Sequence, residues 1–287
     1  MGPRGRAPNP VSESTQIQEL QNAKPAGGLR FLLSRLRSYF FWDPLIWLYT
    51  IVMGILSLLC SLFDRDGKIQ HAFARAWSHM ILGTIGVKVQ VIGMEKIDLN
   101  QAHVYAVNHL SALDVPSLYA SLPFQFRILA KKELFSYPFM GWHLRRSGQI
   151  PIELGSVRAT LRSLNLAAES LTGKTPLVIF PEGGRSPDGH LHEFMSGAFY
   201  IAIKAQADIV PMALVGNWEM LPMNTWHIQP RSSFLLVGDP IPTKGMNVRQ
   251  VDELTKKAFD VIGDLYYSRA AFPDPRGRKL ESQESAK

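Results

Sequence analysis

The stretch "PLIWLYTIVMGILSLLCSLF", residues 44–63, contains no charged residue. Wound into an α-helix it is about 30 Å long, close to the thickness of a bilayer's hydrocarbon core. Few soluble folds bury so long an apolar helix, so the segment predicts membrane association, either spanning the bilayer or lying in one leaflet. It starts too far from Met1, and runs too long, for a cleaved signal peptide. Arg30, Arg35 and Arg37 before it are balanced by Arg65, Lys68 and Arg75 after it, so charge asymmetry assigns no orientation. The preceding "RFLLSRLRSYFFWD" has the basic and aromatic composition of a membrane interface.

The next segment, "GKIQHAFARAWSHMILGT", repeats Ile69, Ala72, Phe73, Ala76, Trp77, Met80 and Ile81 at helical spacing. Lys68, His71 and Arg75 lie off that stripe. A basic amphipathic helix after an apolar one predicts a hairpin seated on a membrane; packing of the stripe against a domain core is the plainer alternative. Beyond it the pattern changes. Short β-prone runs ("VKVQVIG", "HVYAV", "FRILA", "GQIPI", "PLVIF", "IVPMALVG", "SSFLLVG") alternate with helical stretches, clearest at 112–120, 156–172, 196–206 and 248–268. This alternation predicts one α/β domain with a largely parallel or mixed central sheet flanked by helices. The expected organisation is a flexible arm at 1–29, a membrane-associated helical hairpin at 30–84, the α/β domain at 85–269 and a flexible tail at 270–287.

Composition narrows the chemistry. The formal charge is +7, from 31 Lys and Arg against 24 Asp and Glu, which favours anionic partners. Basic residues follow no nucleic-acid-binding module, so lipids or phosphorylated metabolites are expected in place of nucleic acid. The only cysteine, Cys60, excludes a disulfide framework and a cysteine metal site, and suits a reducing compartment. "HLH" at 190–192 offers no third metal ligand, and "TGKTPLVIF" lacks the first glycine of a P-loop and precedes its strand. There is no G-x-S-x-G serine elbow.

Two motifs carry chemistry. In "AVNHLSALDVPSLYA", residues 106–120, His109 follows an apolar strand and Asp114 falls in the first turn of the next helix. Ligands of open α/β sheets bind at strand carboxyl ends. A carboxylate accepting from one imidazole nitrogen fixes the tautomer and frees the other as a general base. An acid at a helix start is also favoured by the helix dipole alone. In "VIFPEGGRS", residues 178–186, a strand ends in Pro181 and Glu182, then Gly183, Gly184 and Arg185. The glycines let backbone N–H groups approach an anion, and Arg185 can grip a phosphate through two hydrogen bonds. Glu182 has two readings, orienting a substrate hydroxyl or pairing with Arg185.

In order, "NHLSALD" and "FPEGGRS" resemble the paired blocks of the glycerolipid acyltransferase family, known through 1-acyl-glycerol-3-phosphate (lysophosphatidate) acyltransferases. "RILAKKELF", "PFMGWHLRRSGQIPI" and "IVPMALVG" are similar to further family blocks, and the likeness spans residues 85–245. It implies that a fatty acyl group passes from acyl-CoA or acyl carrier protein to a lysophospholipid hydroxyl, without cofactor or metal. His109 would deprotonate the hydroxyl and Asp114 would orient His109. Glu182, Gly183, Gly184 and Arg185 would hold the head group, and Lys131, or Lys132 if the register shifts by one, would stabilise the oxyanion. Membrane lipids are the implied partners, with the catalytic domain facing the cytoplasm. The sequence departs from the family pattern at Leu154, where an Arg follows the acidic residue in relatives, at Gly184, where Thr is usual, and at Met195–Ser196, where a Lys is common. Arg145, Arg146 and Arg158 are the candidate replacements for the missing cation. The acceptor is therefore left open between lysophosphatidate and a lysolipid with another head group, and a non-catalytic lipid-binding protein of the same fold is the alternative outside enzymes.

Overall fold

A computed structural model describes residues 28–64, 66–153, 156–172 and 175–277. Nearly all of the expected N-terminal arm, Leu154, and the chain beyond residue 277 lie outside the described residues.

Helix α1, Leu29–Phe63, is longer than the apolar run alone predicts, because the basic and aromatic segment before it is helical too. Pro44 lacks an N–H and would press on a carbonyl one turn earlier. The chain relieves this by widening into a π-turn at Ser38–Trp42, just ahead of the proline. Helix α2, Lys68–Thr84, folds back against α1. Asp64 caps the turn between them, accepting from the N–H groups of Asp66, Gly67, Ile69 and Gln70. The guanidinium of Arg127 donates to the Asp66 carbonyl, fastening the turn to the α/β domain.

The face of α2 that meets the domain carries His71, Ile81 and Leu82, while the buried Gln70 donates to the Ser57 carbonyl of α1. Most of the apolar stripe turns the other way, with Ile69, Ala72, Ala76 and Met80 exposed. On α1, Leu48, Ile51, Ile55 and Leu59 are similarly uncovered. Both helices thus present oil-like side chains outward. Such a continuous surface is far costlier in water than against lipid.

All seven expected strands form. Their order is β1-β7-β6-β2-β5-β3-β4, in one sheet that is parallel apart from the β6–β7 pair. The strands are β1 Val89–Ile92, β2 Val104–Val107, β3 Arg127–Lys131, β4 Ile150–Ile152, β5 Leu177–Ile179, β6 Ile209–Val215 and β7 Ser233–Val237. The mixed sheet of the prediction is therefore observed, with helices on both faces. Alternate residues split between the two faces. Val104, Ala106, Leu177 and Ile179 pack under α5, α6 and α7 (Val157–Thr172, Gly197–Ala205 and Val251–Tyr267). Tyr105, Val107 and Val178 pack with Leu118 of α3, Asp114–Ser121, and with Leu122 just past its end. A short helix between β3 and β4, α4 at Met140–Arg146, was not apparent from the sequence pattern.

Of the tail expected to be loose from residue 270, the described residues through 277 are held in place. Phe272 packs edge-on against Trp218 at 5.1 Å, and Arg276 bonds Asp264 at 2.8 Å and Asp274 at 2.7 Å.

Candidate active site

Strands β2 and β5 lie side by side and parallel, with Ala106 opposite Ile179. His109 and Glu182 each lie three residues past that pair, so both motifs leave the sheet at the same level. This register explains why segments 73 positions apart in sequence form one site.

The His109 backbone is held from both sides by the second motif. Its N–H donates to Glu182 Oε1 at 2.7 Å, and its carbonyl accepts from the Ser186 N–H at 2.8 Å. Phe180 stacks on the imidazole, with ring centroids 4.0 Å apart and planes 23° from parallel. One face of the ring is thereby covered.

Asp114 lies behind it, fully buried. Its Oδ2 is 2.9 Å from His109 Nδ1 and also accepts from the Leu110 and Ser111 N–H groups at 2.6 and 2.8 Å. Oδ1 accepts from Asn217 Nδ2 at 2.9 Å. Oxygens surrounded by four donors suit an ionised carboxylate, which only accepts. With a hydrogen on Nδ1 donated to Asp114, the free imidazole nitrogen is Nε2. The structure brings the predicted base and its partner together.

Glu182 departs from the sequence reading. Oε2 accepts from the His192 N–H at 3.0 Å, so each carboxylate oxygen serves a backbone group, and no ion pair with Arg185 forms among the described residues. Burial pushes its carboxyl pKa up to about 8; the two backbone N–H groups oppose the shift, and Asp114 and Asp188 add to it. The residue ties the second motif, and the loop bearing His192, to the first. Gly183 follows with φ +70°, and a Cβ there would fall 2.6 Å from Met195 Sδ. The left-handed φ favours glycine here, while the flexible Met195 thioether could shift aside for a Cβ.

His109, Lys131, Gly183, Gly184, Arg185 and Met195 all line one cavity of about 1580 Å³. Its walls continue away from His109 between α1 and the α/β domain through Met53, Leu58, Phe73, Trp77 and Leu164. Lys131 thus reaches the cavity. Lys132 instead pairs with Glu153 at 2.7 Å on the surface. Arg145, Arg146 and Arg158 are exposed on α4 and α5, outside the cavity lining.

Two residues essential to this geometry had no assigned role from sequence. The Asn108 side chain extends the sheet ladder, donating to the Leu214 carbonyl at 2.9 Å and accepting from its N–H at 2.7 Å. Asn217, buried just after β6, links Asp114 to Ser117 Oγ at 3.1 Å and accepts from Ser233 Oγ at 2.7 Å. The Asn-His pairing was the signal for the first. Nothing local signals Asn217, whose position depends on β6 lying beside β2.

Residues 88–215 match the model of the family described as Acyltransferase. The chain is 31% identical over 208 residues to a 1-acyl-sn-glycerol-3-phosphate acyltransferase of Chlamydomonas reinhardtii, covering 71% of this chain and 62% of that protein. It is 29% identical to the enzyme of that name from Saccharomyces cerevisiae, over 73% of this chain and 70% of the yeast protein. The chain spans less than two thirds of the algal relative. Among solved structures, the 1-acyl-sn-glycerophosphate (LPA) acyltransferase PlsC from Thermotoga maritima superposes with a TM-score of 0.65 at 27% identity, covering 81% of this chain and 93% of that one.

Proposed function

We propose that the chain, which is similar to acyltransferases over residues 88–215, transfers a fatty acyl group from an acyl thioester to the free hydroxyl of a lysophospholipid, first of all 1-acyl-glycerol-3-phosphate, yielding phosphatidate. The observation that carries this reading is the His109–Asp114 contact of 2.9 Å at the head of an apolar cavity that also contains Arg185. His109 Nε2 takes the acceptor's proton as its oxygen attacks the thioester carbonyl. Asp114 holds the ring upright and offsets the imidazolium charge. Lys131 faces the oxyanion that develops. Collapse of the tetrahedral intermediate breaks the C–S bond, and the leaving thiolate takes the proton back from His109. Arg185, with the backbone of Gly183 and Gly184, grips the phosphate, and the apolar walls take the acyl chains. The donor is acyl-CoA or acyl carrier protein. Purified protein incubated with each donor and lysophosphatidate in vesicles should yield phosphatidate by mass spectrometry, and His109→Ala should abolish it while remaining folded. Full activity in that variant would refute the mechanism.

A lysolipid with a different head group is the second reading. It is favoured by Met195, whose thioether covers Gly183 where the head group would sit. A panel of lysolipids decides between them; exclusive use of lysophosphatidate eliminates the second.

The hairpin's geometry supports a single-leaflet anchor. The α/β domain touches α1 at Ser34, 3.0 Å from His227, at Trp47, 6.0 Å from Trp226, and at Ser57, 3.2 Å from His143. Ser34 and Ser57 are about 35 Å apart along a helix. A helix flanked by polar domain over that length has no free stretch with which to cross hydrocarbon, so it lies in the membrane plane with its outer face in lipid. Of the two leaflets the cytoplasmic one is proposed, in keeping with a chain whose one cysteine suits a reducing compartment. Protease added from one side of sealed vesicles should reach both ends of α1; protection of one end would refute this.

A further inference from the structure

A second apolar surface adjoins the hairpin. Tyr137, Phe139, Met140 and Trp142 are 56%, 64%, 51% and 53% exposed, on a knuckle that leads into α4. The knuckle is built tightly. Phe139 takes φ 60°, a left-handed conformation unfavourable for a bulky residue. Gly141 is pressed so close to the Phe135 carbonyl that a Cβ would lie 2.1 Å from its oxygen. Such geometry holds the aromatic rings outward, where water disfavours them. Phe139 and Trp142 stack edge-on at 5.2 Å.

The knuckle continues the hairpin's apolar face. His143, one residue past Trp142, bonds Ser57 of α1 at 3.2 Å. Across the gap, Ile51 and Ile55 of α1 are 57% and 49% exposed. Phe139, Met140, Ile51 and Ile55 also line the catalytic cavity. Residues that are both outer surface and cavity wall mark a mouth, and this mouth is apolar. Gly54 widens it: a Cβ there would meet nothing within 4 Å. Arg145 and Arg146 close α4 with exposed positive charge and no ion pair among the described residues, suited to anionic head groups.

We propose that the Tyr137–Trp142 knuckle inserts into the same leaflet as α1, and that the cleft between it and Gly54–Ile55 is a side portal through which the lysolipid's acyl chain passes from the bilayer into the cavity. The portal role rests on the lysolipid reading given above; the insertion does not. Aromatic rings at the lipid boundary, basic residues beside them and continuity with a membrane-seated helix together specify a bilayer as the occupant.

The test uses the full chain with Cys60→Ser, carrying one nitroxide-labelled cysteine at Trp142→Cys or, as control, at exposed Asp252→Cys. On vesicles containing anionic phospholipid, the label at 142 should collide preferentially with oxygen, and the label at 252 with a water-soluble nickel chelate. Equal water access at both positions on bound protein would overturn the insertion, as would failure to bind vesicles. In the second arm, Tyr137→Ser/Trp142→Ser should lower turnover of long-chain lysolipid in vesicles at least about tenfold, a lower bound on the cost of withdrawing two rings from lipid. Turnover of a short-chain, water-dissolved lysolipid should be unchanged. Equal loss on both substrates would overturn the portal. Inactivity of the unmodified protein on every lysolipid would instead defeat the acyl-transfer reading and remove the portal with it, leaving the depth measurement to decide the insertion alone.

Discussion

Glu182→Gln separates two roles for the same carboxylate. As a head-group ligand it would be aimed at substrate; as a positioning residue it acts through the His109 loop. Its oxygens accept from the His109 and His192 N–H groups at 2.7 and 3.0 Å. Glutamine is nearly isosteric but has one acceptor oxygen, so its amide N–H₂ must face one of those two N–H groups. A buried donor left unsatisfied costs about 1–3 kcal/mol. If the penalty falls on the placement of His109 in the transition state, kcat drops about tenfold to a hundredfold. The assay is steady-state turnover with varied lysolipid at saturating donor, checked by circular dichroism for folding. A fall in kcat with KM for the acceptor nearly unchanged supports positioning. A large rise in acceptor KM at constant kcat would refute it and restore the head-group role.

Asn217→Ala deletes three hydrogen bonds at a fully buried position and should destabilise the fold by about 2–4 kcal/mol in urea unfolding, with kcat lowered further because Asp114 loses its Oδ1 partner. Lys131→Met should lower kcat at least about tenfold, whereas Lys132→Met, which breaks only an exposed pair with Glu153, should change stability by about 0–1 kcal/mol and leave turnover intact. Glu182 also predicts a pH effect. Its carboxyl pKa is raised from 4.5 to about 8, so the folded state holds a proton that the unfolded chain releases. That contribution is fully present below the unfolded value and is lost as pH rises towards about 8. The stability of Glu182→Gln relative to wild type should therefore rise across that window; a constant difference in denaturation midpoint would contradict the assignment.

Much of this architecture can be read from the chain because hydrophobic periodicity is local. Each β-prone run contains an observed strand, and the four clearest helical stretches overlap α3, α5, α6 and α7. The legible part of the site is equally local: His109 and Asp114 are joined by a short loop and a helix start. What escaped depends on neighbours distant in sequence. Asn217 reaches Asp114 only because β6 lies beside β2, and strand order leaves no periodic trace. Helix α4 was hidden by its shortness and by Pro138 and Gly141, residues that ordinarily mark a loop. Its stability comes from packing against the turn before it and from the Ser57–His143 bond to α1. The direction of the α2 stripe was ambiguous for a similar reason. An apolar face is the same sequence whether it meets a core or stays exposed, and only the burial of the polar Gln70, His71 and Ser78 in its place shows that most of the stripe is uncovered.

That buried polar face bears on how the catalytic and membrane parts work together. Helix α2 is the layer between α1 and α3, and α3 begins with Asp114. Arg75 of α2 donates to the Leu122 carbonyl at the end of α3 at 2.8 Å, and His71 packs against Tyr119 on the same helix with centroids 5.1 Å apart. The hairpin is thus joined to the helix that supplies the base's partner. Arg127, bonded to the Asp66 carbonyl in the hairpin turn, fixes it again beside β3. A hairpin joined at several points cannot swing freely, so on the proposed single-leaflet seating the height of His109 above the lipid plane would be set by rigid packing rather than by a linker. The acceptor's hydroxyl lies a fixed distance from its acyl chain, and an enzyme drawing it from a leaflet needs its base held at a matching height. Loosening the join should therefore impair turnover on vesicles more than on dissolved substrate. Arg75→Ala tests this: it removes one carbonyl contact made by a side chain outside the cavity lining, and a proportional loss on both substrates would show that the join serves stability alone.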